Sequence, residues 1–138
     1  MKLINKIVFI IMILSLASCS VDEGESYGYE ILPIESIDLP HEFILGEEYF
    51  IDYTFKLPTD CHRYYDVFFN AENENRTVAA TSIVYDRSNC QELLENNMVV
   101  GTFKFTAIYE QTYVFHIWKG QDEQGEDIYE IINVPIVN

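Results

Sequence analysis

Residues 48–57 (EYFIDYTFKL) alternate with a period of two. Tyr49, Ile51, Tyr53, Phe55 and Leu57 fall on one side of an extended chain; Asp52, Thr54 and Lys56 fall on the other. Successive side chains of a β-strand point to opposite faces, so this pattern buries one face and wets the other. Phe50 alone breaks it. The same period returns at 98–107 (MVVGTFKFTA), where Val99, Phe103, Phe105 and Ala107 oppose Thr102, Lys104 and Thr106. It returns again at 112–119 (TYVFHIWK), where Tyr113, Phe115 and Ile117 align. No long stretch of helical period occurs, and residues 91–96 (QELLEN) make one short turn at most. An all-β chain is expected.

The remaining segments fit that class. Residues 29–39 (YEILPIESIDL) are extended but contain Pro33, which lacks the N–H of a central strand. It belongs on an edge or where a strand changes sheets. In residues 63–69 (RYYDVFF), Tyr65, Val67 and Phe69 form the expected inward set. Residues 70–75 (NAENEN) read as a long hairpin tip, and 76–85 resume β-branched character. Gly101 suggests a bulge. Residues 120–126 (GQDEQGE) turn the chain, and 127–137 close it with Ile128, Ile132, Val134 and Ile136 inward. Seven or eight strands in 138 residues point to one antiparallel two-sheet sandwich. A small closed β-barrel is the alternative.

Composition excludes several classes. Hydrophobic residues make up 49% of the chain, with 10 Tyr and 9 Phe. That apolar surface can offset chain entropy, so the chain is not a disordered acidic tail. Eight basic residues against 23 acidic ones give a net charge of -15. Nucleic acid and anionic lipid headgroups are therefore not its electrostatic partners.

The N-terminus carries a second pattern. Lys2 and Lys6 flank the start of an unbroken apolar run at 7–14 (IVFIIMIL), and mostly small or polar residues follow at 15–18. This is the layout of a signal peptide, and the run is too short to span a bilayer. The run ends Leu16-Ala17-Ser18-Cys19, which resembles a bacterial lipobox: an aliphatic residue, two small ones, then Cys. The resemblance implies that the Cys19 thiol is lipidated and that cleavage follows Ser18. Two or more acyl chains hold a protein durably on a membrane. Residues 19–27 form a small, acidic tether, and the expected folded domain is 28–138. An acidic stretch after the lipidated Cys resembles the surface-export signal of Bacteroidota lipoproteins. It implies outer-membrane attachment with display on the cell surface, or else a domain facing the periplasm.

Tyr113-Val114-Phe115 is similar to the tyrosine corner of immunoglobulin-like folds, where a Tyr stands two residues before a core position. No Cys occupies that core position, and the single Trp, Trp118, lies on the penultimate strand. An antibody-type domain is thus excluded, while an immunoglobulin-like sandwich is implied. Residues beyond the tether also resemble small immunoglobulin-like lipoproteins of Bacteroidota. Phe115, Trp118-Lys119-Gly120 and the Val134-Pro135 ending carry that likeness, which brings no catalytic residues with it.

With Cys19 lipidated, Cys61 and Cys90 remain, and export favours their pairing as a disulfide. A metal site with neighbouring His62 is the alternative, but the spacing is not that of zinc ligands. His41, His62 and His116 belong to no nucleophile or metalloprotease motif, and His116 is expected on the outward face beside Trp118. The acids cluster in turns, where water screens them, unlike a catalytic carboxylate pair. Glu72 and Glu74 lie on one such tip. Asp122, Glu123, Glu126 and Asp127 crowd another, where hard oxygen ligands suit Ca²⁺ but the spacing is not that of an EF-hand. By alternation, Phe50, Tyr64 and Trp118 point outward, and exposed rings stack on sugars or anchor protein partners. The expected function is a non-catalytic, cofactor-free surface module that binds protein or glycan. The alternative is an accessory structural subunit of an outer-membrane complex.

Overall fold

Proline 33 splits the first extended segment between two sheets. In the computed structural model, which describes residues 24–137, β1 (Tyr27–Leu32) joins a five-stranded sheet and β2 (Ile34–Ile37) a three-stranded one. Residues 1–18, and Cys19 with most of the tether, lie outside the described residues. The other strands are β3 (Phe43–Ile44), β4 (Glu48–Lys56), β5 (His62–Glu72), β6 (Asn75–Tyr85), β7 (Met98–Thr106), β8 (Tyr113–Gln121), β9 (Asp127–Val134) and β10 (Ile136–Val137). Among the described residues no helix forms. None is therefore long and apolar enough to cross a membrane.

The smaller sheet runs β2-β4-β7, antiparallel throughout. In the larger one, β5 covers one edge of β6. Strands β1 and β8 share the other edge, against residues 80–85 and 75–78 respectively, and β9 follows β8. The sheets form a sandwich and do not close, so the barrel alternative is set aside. The expectation of purely antiparallel sheets is also corrected, because β6 and β8 are parallel, as are β3 and β10. Parallel neighbours need a crossover. Strand β7, which lies in the opposite sheet, supplies the crossover between β6 and β8.

The alternating positions read from sequence meet between the sheets. Ile51, Tyr53, Phe55, Phe103 and Phe105 are buried from the smaller sheet. Val78, Ala80, Tyr113, Phe115, Ile117 and Val134 are buried from the larger one. Phe43 closes one end, its ring centroid 4.8 Å from both Tyr49 and Phe105. The buried Tyr113 hydroxyl accepts the backbone N–H groups of Ile108 and Tyr109 at 2.8 and 2.9 Å.

Four local expectations fail for identifiable reasons. A register shift between Tyr64 and Asp66 turns Tyr65 outward, while Phe69 stays on the core side, 5.5 Å from Phe103. The hairpin tip is tight, because β5 runs to Glu72 and β6 begins at Asn75, with Asn73 at φ 55°. Gly101 makes no bulge: it pairs in unbroken register with Tyr53, and a Cβ there would run into the Tyr53 ring. Ile128 is exposed rather than inward, because β9 is an edge strand flanked by β8 alone.

Candidate binding face

The outward side of the five-stranded sheet follows from its register. Ala79 pairs with Phe68, Thr77 with His116, His116 with Ile131, and Trp118 with Tyr129. These side chains share one face, because directly paired residues point the same way. Strand β1 adds Tyr27, Tyr29 and Ile31, and the register shift in β5 adds Tyr65. Tyr29 and Tyr65 pack 4.9 Å apart yet remain 58% and 53% exposed. Phe68 is 43% exposed. Rings that pack on each other and still face water form a patch, and contiguous exposed apolar patches mark interaction sites.

At the centre of this face lies a hollow of about 220 Å³, with Thr77 and Ala79 as its floor. Phe68 stands on one side; Trp118 and Ile31 stand on the other, with Tyr129 and Asp127 at the rim. The Trp118 Nε1–H donates to Asp127 Oδ1 at 3.0 Å, and Gln121 Nε2 donates to the same oxygen at 3.1 Å. These bonds fix the indole. They also hold the Asp127 carboxyl below the usual carboxylate range, with the Trp118 bond the largest cause and Gln121 next. The Tyr129 hydroxyl is pushed above the ordinary tyrosine range, first by partial burial and then by the Asp127 charge. His116 Nε2 lies 3.1 Å from Asn75 Oδ1, and its ring meets Tyr129 edge-on at 6.0 Å.

The three aromatics singled out by alternation are not brought together. Trp118 sits on this face, as expected. Phe50 is outward and 72% exposed, but on the smaller sheet. Tyr64 is a correction: just before the register shift it turns toward the core. Its hydroxyl accepts from Tyr53 at 3.1 Å, and its ring lies 5.4 Å from Phe55. The shift in β5 also reverses Tyr65, which alternation places inward, while Phe68 keeps the outward face that alternation gives it.

The acidic turn serves its own backbone. Asp122 Oδ1 accepts the N–H groups of Gln124 and Glu126 at 2.8 and 2.9 Å, and Asp127 is held by Trp118 and Gln121. Among the described residues, the one trio of possible ligands within reach of each other is Asp60, Cys61 and Cys90. Its sulfurs are joined: Cys61 and Cys90 form the disulfide, with Cα atoms 5.5 Å apart. This also removes Cys61 and Cys90 as ligands beside His62.

His62 is instead buried as a brace, with Nδ1 2.8 Å from Thr59 Oγ1 and Nε2 2.9 Å from Glu30 Oε2. Arg76 is another buried polar residue that alternation does not flag. Its Nη1 donates to the Asn73 and Asn75 carbonyls, and its guanidinium lies 4.8 Å from the Tyr113 ring centroid. Both tie loops to the core. A larger hollow of about 630 Å³, between Asn73-Glu74 and Tyr109–Val114, offers one aromatic ring only. The chain matches no family model, no curated protein and no solved structure.

Proposed function

We propose that this chain is a lipid-anchored, non-catalytic binding module of the bacterial envelope. It is held to the outer membrane through Cys19 and displayed on the cell surface. The lipobox-like Leu16-Ala17-Ser18-Cys19 supports the anchor, and the acidic residues that follow support display. The domain is best read as immunoglobulin-like. The Tyr113 hydroxyl bonded back to residues 108 and 109 favours that reading, and the parallel β6–β8 pair is a departure from it. The single observation that carries a binding role is the aromatic outer face of the five-stranded sheet, which takes a glycan or protein ligand.

Two experiments test this. Protease shaving of intact cells should digest the domain without lysis; digestion only after lysis overturns surface display. Replacing Tyr65 and Phe68 together by Glu should leave the fold intact, because both rings are exposed. It should abolish retention of the native ligand by the membrane-anchored protein. Retention equal to that of the parent protein overturns the assignment of this face.

A further inference from the structure

Resting on that reading of the face, we infer that the hollow between Phe68 and Trp118 is a subsite for one ring of a neutral sugar. Its size sets the first limit. About 220 Å³ is smaller than the roughly 300–1,000 Å³ of drug-sized sites, so the occupant is a single ring or a comparable group. Its shape sets the second. Phe68 on β5 and Trp118 on β8 are separated by β6, so they stand two strand spacings apart, roughly 10 Å. The small floor residues Thr77 and Ala79 leave the space between them open. That gap admits a flat body one ring thick, with a carbon face toward each wall.

Chemistry sets the third limit. The polar groups at the hollow are the Thr77 hydroxyl, the Tyr129 hydroxyl and the Asp127 carboxylate. Asp127 Oδ1 is occupied by two donors, while Oδ2 is approached only by the Tyr129 hydroxyl at 3.5 Å. It therefore retains lone pairs for an O–H donor. A ligand with apolar C–H faces and hydroxyls around its edge matches both sets of groups. The carboxylate and the net charge of -15 select against sulfated, phosphorylated or uronic sugars. The Tyr29–Tyr65 pair continues the same face past Ile31, so further rings of an oligosaccharide have a platform.

The chain holds its own reporter, because Trp118 is the only tryptophan. The full-length lipoprotein is kept in a polyoxyethylene detergent, which carries neither sugar nor ammonium groups. Its emission is then titrated with neutral hexasaccharides of glucose, mannose and galactose, and with the free hexoses. At least one sugar should shift Trp118 emission saturably, with a dissociation constant on the order of 1 mM for a single hexose. The matching hexasaccharide should bind about tenfold more tightly, which adds about 1.4 kcal/mol. Phe68→Ala should weaken binding about tenfold or more, Phe68→Tyr should restore it, and Phe50→Ala on the other sheet should change nothing.

Silence of Trp118 toward every sugar up to about 20 mM overturns the inference. So does a saturable response to tetramethylammonium chloride with none to the sugars, which assigns the hollow to a cation. Equal effects of Phe68→Ala and Phe50→Ala overturn it too. If the sugars fail while the Tyr65/Phe68 Glu variant still loses its native ligand, the sugar assignment falls and the binding face stands.

Discussion

The two outer faces of the sandwich are built from the same kind of strand and end up with opposite chemistry. On the smaller sheet, charges and hydroxyls are paired across strands. Lys104 meets Glu48 at 2.8 Å, Lys56 meets Glu35 at 3.2 Å, the Thr102 hydroxyl donates to Asp52 at 2.6 Å, and Ser36 meets Thr54 at 2.7 Å. Phe50, Val100 and Met98 are exposed there without forming a ring cluster. On the larger sheet the outward positions carry Tyr27, Tyr29, Tyr65, Phe68, Trp118 and Tyr129, several in ring contact. Cross-strand polar pairs satisfy a face that stays in water. Clustered rings leave apolar area that only another molecule can cover. The chain's acidic character therefore does not describe its aromatic outer face.

The comparison is tested most strongly through the disulfide, which joins the β4–β5 loop to the β6–β7 loop beside the ends of β5 and β6, where the Tyr85 N–H donates to the Cys61 carbonyl at 3.1 Å. Cys61 precedes β5, and Cys90 lies in the loop after β6. Cys90→Ser opens a loop of sequence separation 29, which costs about 3.5 kcal/mol in the chain-entropy account. The thermal midpoint should fall by roughly 10 °C. Hydrogen exchange should quicken in β5 and β6 before β4 and β7. Equal loss of protection in both sheets would show that they open as one unit, and that the faces are not independently supported. An unchanged midpoint would mean that the bridge contributes no stability.

Much of this architecture is legible in the alternation itself. Ile51, Tyr53, Phe55, Phe103, Phe105, Phe115 and Ile117 are buried where the period of two puts them, because β4, β7 and β8 are regular along those stretches. Pro33 marks the sheet switch because a missing N–H is a local fact. The aromatic face proposed for binding is less legible. One register shift between Tyr64 and Asp66 inverts the faces of two neighbouring rings, and nothing in the residues RYYD announces it. The parallel join of β6 to β8 is equally hidden, since it depends on where a strand returns after crossing to the other sheet. Periodicity reports which residues share a face. It does not report which faces become neighbours.

The next effect is smaller and confined to the rim of the hollow. Because Trp118 and Gln121 hold the Asp127 carboxyl below its ordinary value, the carboxylate form is favoured in the folded protein. Its contribution is complete above about pH 3.9 and is lost as pH falls through the lower folded value. Trp118 emission should therefore stay flat from neutral pH to about 4.5 and change only below about 3.9, where the indole loses its charged acceptor. Asp127→Asn keeps an oxygen for the indole N–H and should remove that transition. A transition in the ordinary carboxylate range, or one unaltered in the Asn variant, would uncouple Asp127 from the indole. The rim of the hollow would then not be preorganised.

The smallest effect belongs to the paired face. Lys104→Ala deletes the 2.8 Å contact with Glu48, but the two side chains are 59% and 45% exposed. Water and salt screen such a pair, and holding two long side chains together costs entropy. The denaturant midpoint should shift by no more than about 0.5 kcal/mol in stability, and by less still in high salt. Ligand retention should not change. A loss above about 1.5 kcal/mol would place that pair outside the range of exposed ion pairs and make the smaller sheet's outer face a structural element. A loss of retention would be more damaging, because binding would then extend to the face whose charges are already matched.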